Sequence, residues 1–160
     1  MSDSNSLSSA SAERRAIAGE IPLHALLDLS WTYPDKGSQH AEVVMPVLRP
    51  AFGFTDNLHG GAIATMVDVA CALAAARATD FDPEKESLVT ADMHIRYLGR
   101  PKTEQVVAKA DVVRIGSQLI VIECKVYDEE QHIIAAADLS MMRVAVRQPL
   151  QPEQAKKGEN

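Results

Sequence analysis

One uninterrupted apolar stretch, His59 to Thr79, constrains the fold of this chain more than any other feature of its sequence. The stretch contains no proline and is filled with Ala, Met, Val and Leu, so it predicts a helix of roughly five to six turns. Asp56 or Asn57 stands where the N-cap of that helix is expected. Because the helix is apolar on almost every side, most of its surface must be buried, which requires a sheet wrapped around it.

On both sides of this helix the sequence predicts extended structure. Before the helix, Leu29 to Tyr33 and Ala41 to Leu48 are separated by a Pro-Asp-Lys-Gly run and predict a hairpin. After the helix come four long strand-like stretches, Ser87 to Leu98, Thr103 to Ile115, Gln118 to Tyr127 and His132 to Val146. These elements predict an α+β hotdog fold, with one long central helix wrapped by a curved antiparallel β-sheet.

The length and composition of the chain predict a single domain. With 160 residues, of which 46% are hydrophobic, the chain can bury one core but is short for two. Residues 1–12 are mostly Ser, Asp, Asn and Ala and predict a disordered tail, and residues 148–160 predict a flexible C-terminal tail. The domain is therefore expected to span 13–147, with one or two short helical segments between Ala12 and Leu29.

Charge and cysteine content exclude several classes of protein. The formal net charge of −6, with no run of Lys and Arg, argues against nucleic acid as a partner. Cys71 and Cys124 are too few for a disulfide framework or a zinc site and favour a reducing cytoplasm. The N-terminus lacks the order of a signal peptide, and no apolar run approaches the roughly 20 residues that cross a bilayer. We therefore expect a cytoplasmic protein that needs no membrane.

The first long strand after the helix shows an alternating pattern. One face is predicted to carry Val89, Ala91, Met93, Ile95 and Tyr97, and the other Thr90, Asp92, His94 and Arg96. This alternation places Thr90 on the polar face.

The start of the helix, His59-Gly60-Gly61, is a candidate oxyanion pocket. The first turn of a helix has unpaired N–H donors and the positive end of the helix dipole. A carbonyl oxygen held by the Gly60 N–H would be stabilised further as negative charge develops on it. Close packing where the chain turns into the helix explains the same two glycines equally well.

Asp68 is the only charged side chain between His59 and Arg77. Its helical neighbours three and four residues away are all small, Ala64, Thr65, Cys71 and Ala72, which leaves room for a ligand. An unpaired carboxylate in apolar surroundings is costly, so Asp68 must reach a hydrogen-bond network, a partner charge or a cleft with water. Catalysis and a hydrogen bond to a neighbouring strand at a dimer seam both satisfy this requirement.

Helix geometry keeps Gly60 and Asp68 apart within one chain. They are eight residues apart, hence roughly 12 Å at 1.5 Å per residue. A reacting carbonyl must lie about 3 Å from its oxyanion donor and within reach of the base or nucleophile. If both residues act, Gly60 of one protomer must face Asp68 of the other across a two-fold axis, which gives two equivalent sites in a homodimer.

Two runs of sequence, NLHGGAIATMVD and TADMHIRYLGRP, resemble the hotdog acyl-CoA thioesterases of the PaaI type. The resemblance extends over nearly the whole stretch from Leu29 to Val146. It implies that Gly60 polarises the thioester carbonyl, that Asp68 activates water or attacks directly, and that Thr90 holds the water or the carboxylate. Hotdog dimers often pair again, so a dimer of dimers, a homotetramer, stays open beside the homodimer.

The substrate-binding residues are predicted around the same turn and at the end of the strand. Several relatives carry Asn or Gln six residues before the His, where this chain has Gly53 and the amide nearer the turn is Asn57. His59 is expected to fix the turn with a side-chain hydrogen bond, beside Gly61. Arg96, Arg100 and Lys102, at and just beyond the end of the strand, are candidates for contact with the phosphates of CoA, and a solvated surface charge is the alternative interpretation of each.

These residues predict an acyl-CoA thioesterase that releases a free acid and CoA and needs no metal or organic cofactor. Two other functions stay open. One is a module that binds acyl-CoA without hydrolysing it, and the other is a hydratase or dehydratase that acts on enoyl-thioesters with an Asp and a His. The acyl pocket is expected to be lined by residues such as Met66, Val67, Met93 and Phe54.

Overall fold

The structure is a computed structural model that describes residues 21–146. The predicted tails, 1–12 and 148–160, lie outside the described residues, as do both ends of the predicted domain 13–147. The elements follow in the order α1 (Pro22–Leu26), β1 (Ser30–Trp31), β2 (His40–Pro46), a 3₁₀ turn (Arg49–Ala51), α2 (Gly60–Ala78), β3 (Glu86–Tyr97), β4 (Gln105–Ile115), β5 (Leu119–Asp128) and β6 (Ile133–Ala145).

The strands form one antiparallel sheet in the order β1-β2-β4-β5-β6-β3. The predicted hairpin is present, with Ser30 of β1 opposite Val44 of β2. β3 precedes β4 in the chain but, among the strands of residues 21–146, pairs only with β6, so it forms the far edge of the described sheet. Helix α2 packs mainly on β2, β4 and β5. The predicted hotdog fold, a central helix wrapped by an antiparallel sheet, is confirmed.

Helix α2 is the centre of the hydrophobic core. Its side chains Met66, Val67 and Ala70 have no exposed surface. The sheet meets them with alternate residues of its strands, because only every second side chain of a strand points to one face. The buried residues on the two central strands are Val106, Ala108, Ala110 and Val112 of β4 and Ile120, Ile122, Cys124 and Val126 of β5.

The expectation that no apolar run approaches the length of a membrane span is wrong for α2. The helix has 19 residues and a mean hydropathy of 1.5, and half of this apolar stretch is buried inside the fold. A helix covered by a sheet needs apolar residues all round, as does a helix covered by lipid, so composition alone does not separate the two.

Both cysteines are free and buried in this core. A hydrogen bond to the Cys124 thiol, together with burial, raises the pKa of the Cys71 thiol far above its ordinary value. Because the thiolate is the reactive form of cysteine, Cys71 is expected to react slowly with thiol reagents in the folded protein.

The N-cap of α2 is His59, so the prediction of Asp56 or Asn57 is wrong. Asp56 has a left-handed backbone, with φ 50°, and its carboxylate pairs with Arg49 at 3.1 Å. The Asn57 carbonyl accepts a hydrogen bond from the Gly53 N–H at 2.7 Å. These residues close a turn before the helix. His59 is then the residue with an extended backbone that directly precedes the first helical residue.

Strand β3 contains a β-bulge at Ala91. Thr90 lies opposite Met141 of β6, and Asp92 lies opposite Ser140, the next residue along β6, so Ala91 has no partner of its own. An extra residue in one strand reverses which of its later side chains face the core. The alternation predicted for this strand is therefore broken in its middle.

The bulge changes which residues of β3 face the helix. Leu88, before the bulge, and Ile95, after it, both pack against the core. Thr90 shares the inner face with Leu88, so its predicted place on the polar face is wrong. Tyr97 shares the inner face with Ile95 and reaches α2.

Candidate active site

Asp68 and Thr90 form a hydrogen-bonded pair between α2 and β3. The Thr90 hydroxyl Oγ1 donates to Asp68 Oδ1 across 2.5 Å, a distance typical of a hydroxyl on a charged carboxylate. The other carboxylate oxygen, Oδ2, has no hydrogen bond to any residue from 21 to 146. The structure thus brings together two of the three predicted catalytic residues within one chain.

A cavity of about 540 Å³ opens beside Asp68. Its walls come from the segment around α1 and β1, one face of α2, and the start of β3. Small residues of α2 such as Ala72 leave the space, while Leu73, Phe81 and Leu88 give it apolar walls. The volume is within the range of pockets that hold small organic ligands.

The residues predicted to line the acyl pocket are not the ones that line this cavity. Met66 and Val67 are fully buried in the core, Phe54 is fully exposed in the loop before α2, and Met93 is 37% exposed. The cavity is lined instead by a different side of the helix, the one that carries Asp68, together with residues 21–33. Which face of an all-round apolar helix is covered cannot be read from its periodicity.

His24 and Trp31 are cavity residues that the sequence did not single out. Their rings meet edge to face with centroids 5.9 Å apart, and neither His24 Nδ1 nor Trp31 Nε1 has a hydrogen-bond partner among residues 21–146. Burial lowers the pKa of His24, and the negative charge of Asp68 offsets only part of that effect. His24 is therefore a neutral imidazole at pH 7 on the cavity wall.

The turn at the start of α2 separates the roles of the two glycines. The Gly61 N–H donates to His59 Nδ1 at 2.8 Å, so this nitrogen of the imidazole carries no proton. The predicted side-chain hydrogen bond from His59 is therefore present. Because no residue from 21 to 146 accepts from the Gly60 N–H, Gly60 is the glycine with a donor free for a ligand.

The remaining predicted substrate-binding residues lie away from the cavity of their own chain. The Arg96 guanidinium is 3.6 Å from the Asp138 carboxylate on the outer face of the sheet, and both side chains are exposed. Asn57 is half-buried in the loop before α2. Roles for these two residues stay predictions. Across residues 21–146, no three His, Cys, Asp or Glu side chains cluster as metal ligands would.

The model of one protein family, the thioesterase superfamily, matches residues 55–135. This stretch is just over half of the chain and contains Gly60, Asp68 and Thr90. The chain belongs to the thioesterase superfamily. The resemblance predicted from the two sequence motifs is therefore confirmed.

Two curated relatives match parts of this thioesterase-superfamily chain. A protein of Halobacterium salinarum is 39% identical over 70 residues, which are 44% of this chain and 45% of that protein. The medium/long-chain acyl-CoA thioesterase YigI of Escherichia coli is 28% identical over 95 residues, which are 53% of this chain and 61% of YigI. The chain thus spans about half the length of the curated relatives it matches.

Solved structures of thioesterases share the fold of this superfamily member. A variant of thioesterase PA1618 from Pseudomonas aeruginosa matches with a TM-score of 0.74 and 19% identity, over 84% of this chain and 94% of that chain. The PaaI protein of Escherichia coli matches with a TM-score of 0.68 and 21% identity, over 86% of this chain and 96% of that chain. At these identities the likeness shows the fold alone.

Proposed function

We propose that this chain is an acyl-CoA thioesterase that hydrolyses an acyl-CoA to a free acid and CoA. The observation that carries the proposal is the Asp68 carboxylate, held by Thr90 at 2.5 Å and facing a cavity of about 540 Å³. Membership of the thioesterase superfamily supports the reaction class. Because YigI is named for medium- and long-chain acyl-CoAs, these are the first substrates to test.

The Gly60 N–H has the position and the charge environment of an oxyanion donor. It lies at the N-terminus of a 19-residue helix, where the helix dipole presents positive charge. When the thioester carbonyl is attacked, negative charge develops on its oxygen, and a preorganised N–H stabilises that charge without reorganisation.

Asp68 has two routes to hydrolysis. As a general base it takes a proton from water, whose oxygen attacks the carbonyl, and the CoA thiolate leaves and regains a proton. As a nucleophile its free oxygen Oδ2 attacks the carbonyl and expels the thiolate, and water then cleaves the mixed anhydride. Thr90 serves both routes by holding the carboxylate in one orientation.

A homodimer completes the proposed site. β3 is a 12-residue edge strand, and it exposes the apolar residues Val89, Met93 and Tyr97 by 48%, 37% and 54%. A long apolar edge favours pairing with another strand. Pairing of two β3 strands about a two-fold axis would bury this edge and bring Gly60 of one chain towards Asp68 of the other.

A second pairing, which would give a dimer of dimers, also has a candidate surface. Val113, Ile115 and Leu119 cluster around the β4–β5 turn and are 57%, 42% and 42% exposed. Neighbouring apolar side chains in water favour association. We propose this end of the sheet as the place where two dimers meet.

Replacing Asp68 by Asn tests the proposed chemistry. The amide keeps the size of the side chain but can neither take a proton nor attack, so kcat should fall by at least about 100-fold. Release of CoA is measured with a thiol-detecting reagent over a series of acyl-CoAs, and the buried cysteines contribute little background. Unchanged turnover in the folded Asp68→Asn protein would remove Asp68 from the mechanism.

The same assays separate the other two functions. A binding module holds acyl-CoA without releasing thiol. A hydratase changes the absorbance of an enoyl-thioester and keeps CoA attached, and the presence of His24 on the Asp68 cavity makes this a specific alternative. Release of thiol from wild-type protein, lost on Asp68→Asn, is the result that supports hydrolysis.

A further inference from the structure

Tyr97, the last residue of β3, packs on the first residue of α2. Its hydroxyl donates to the Gly60 carbonyl at 3.1 Å. A Cβ placed on Gly60 would lie 3.2 Å from Tyr97 Cζ and 3.3 Å from the hydroxyl oxygen. The phenol ring therefore covers the side of Gly60 where any other residue would carry its side chain, and a Cβ there would require the ring to shift by a few tenths of an ångström.

The peptide group between Gly60 and Gly61 is held at both ends. Its C=O accepts from Tyr97, and its N–H donates to His59 Nδ1 at 2.8 Å. The peptide group is planar, so fixing both ends fixes its rotation. Glycine has more backbone freedom than any other residue. The Gly60 N–H belongs to the preceding peptide group, whose C=O, on His59, accepts from the Ala62 and Ile63 N–H groups. Gly60 is therefore held by helix α2 on its N–H side and by the two bonds to Tyr97 and His59 on its carbonyl side.

Because of the bulge at Ala91, side chains of β3 bond both the Asp68 carboxylate and Gly60, the proposed oxyanion donor. Thr90 and Tyr97 are an odd number of residues apart, so in a regular strand they would point to opposite faces. The bulge places both on the inner face, where Thr90 bonds Asp68 and Tyr97 bonds Gly60. Bulges next to active sites commonly re-aim a side chain in this way.

We infer that Tyr97 is a positioning residue that anchors Gly60 through its carbonyl and so limits the rotation of Gly60 that would turn its N–H away from the oxyanion. The inference rests on the proposed thioesterase function. In the proposed dimer, Gly60 and Asp68 of one chain belong to different sites. Each β3 strand then supports the carboxylate of one site through Thr90 and the oxyanion donor of the other through Tyr97.

The test compares Tyr97→Phe with Tyr127→Phe in the full-length protein. Tyr97→Phe removes only the hydroxyl, so kcat should fall roughly tenfold, less than the 100-fold or more for complete loss of an oxyanion donor. KM and Tm should stay close to wild type, because the ring still packs on Gly60. Tyr127 follows the core residue Val126 on β5, so its side chain points to the opposite face of the sheet, and Tyr127→Phe should keep wild-type kinetics.

A second measurement does not depend on turnover. Loss of a hydrogen bond at the Gly60 carbonyl should shift the amide ¹⁵N resonance of Gly61, and Tyr127→Phe should leave that resonance in place. Unshifted glycine resonances, a wild-type kcat, or a fall in kcat matched by a fall in Tm would each overturn the inference. Failure of wild-type protein to release thiol would instead overturn the proposed function, while the resonance shift would still decide whether Tyr97 bonds the Gly60 carbonyl.

Discussion

The hydrogen bond between Thr90 and Asp68 determines which groups of this pair are available to a substrate. The proton of the Thr90 hydroxyl is committed to Asp68 Oδ1 at 2.5 Å, so Thr90 can still accept a hydrogen bond from water but has no proton left to donate. The bond fixes the orientation of the carboxylate and leaves Oδ2 to act. Since the hydroxyl belongs to a β-branched side chain with few rotamers, little freedom is lost in making the bond.

Replacing Thr90 by Val removes this hydroxyl and preserves the shape of the side chain. A hydrogen bond to a charged group contributes about 1.5–3 kcal/mol, so kcat should fall roughly 10- to 100-fold. Thr90→Ser keeps the hydroxyl and should retain most activity. Steady-state kinetics of the two variants make the comparison, and equal rates for Val and Ser would show that the hydroxyl is not used.

At the scale of elements, the turn between β5 and β6 depends on one buried carboxylate. Asp128 is 1% exposed and accepts hydrogen bonds from the backbone N–H groups of Lys102, Glu130 and His132. Burial alone would raise its pKa, but these hydrogen bonds and the His132 side chain outweigh burial and hold the pKa of Asp128 below its ordinary value. The hydrogen bond from Lys102 ties this turn to the chain before β4.

Asp128→Asn should make the protein less stable near neutral pH and less sensitive to acid. A carboxyl with a lowered folded pKa stabilises the fold above its unfolded pKa, near 4, and that contribution is lost as the pH falls through the folded pKa. Thermal unfolding at pH 7, 5 and 3 should show the gap between wild type and Asp128→Asn narrowing at the lowest pH. A gap that stays constant would contradict this role, and the exposed Glu104→Gln variant serves as the control.

The predicted elements succeed or fail for identifiable reasons. Helix α2 and the long strands follow from local composition and were predicted nearly to their ends. The bulge at Ala91 was not, because it is defined by pairing with β6, more than forty residues later. The N-cap was misplaced because Asp56 and Asn57 belong to a turn closed by Gly53, a contact that capping preference alone does not reveal.

At the scale of the whole molecule, each helix α2 contributes residues to two different active sites of the proposed homodimer. Gly60 and Asp68 are eight residues apart on α2, roughly 12 Å along its axis. One chain therefore offers an oxyanion donor and a carboxylate that cannot meet on one carbonyl. In the proposed homodimer, the exposed edge of β3 is the surface through which a second chain supplies the missing half.

Mixing two inactive variants tests this division. Gly60→Pro removes the free N–H at the first helical position, where proline is tolerated, and Asp68→Asn removes the carboxylate. Each homodimer should be inactive, but a mixed dimer has one site with both groups intact. Random exchange of chains should make half of the dimers mixed, and each mixed dimer has one intact site of two. About a quarter of wild-type activity should therefore return.

The control for this mixture is Gly60→Ala, which adds the same contact with Tyr97 as proline does but keeps the N–H. It should retain more activity than Gly60→Pro. The mixture is measured by thiol release after unfolding and refolding the two chains together, beside the separately refolded homodimers. No recovery in a sample shown to contain mixed dimers would contradict a site shared between chains.

The sequence by itself determined the central helix, the strands around it, and the His-Gly-Gly turn and Asp68 as candidate groups, because these follow from composition and spacing along the chain. Only the tertiary structure decided that Thr90 and Tyr97 face the helix, that Gly60 rather than Gly61 keeps a free N–H, and that His24 and Trp31 share the Asp68 cavity. Those facts depend on strand register and on contacts between distant segments. Register and long-range contact are fixed by how the whole core packs, and no local pattern encodes them.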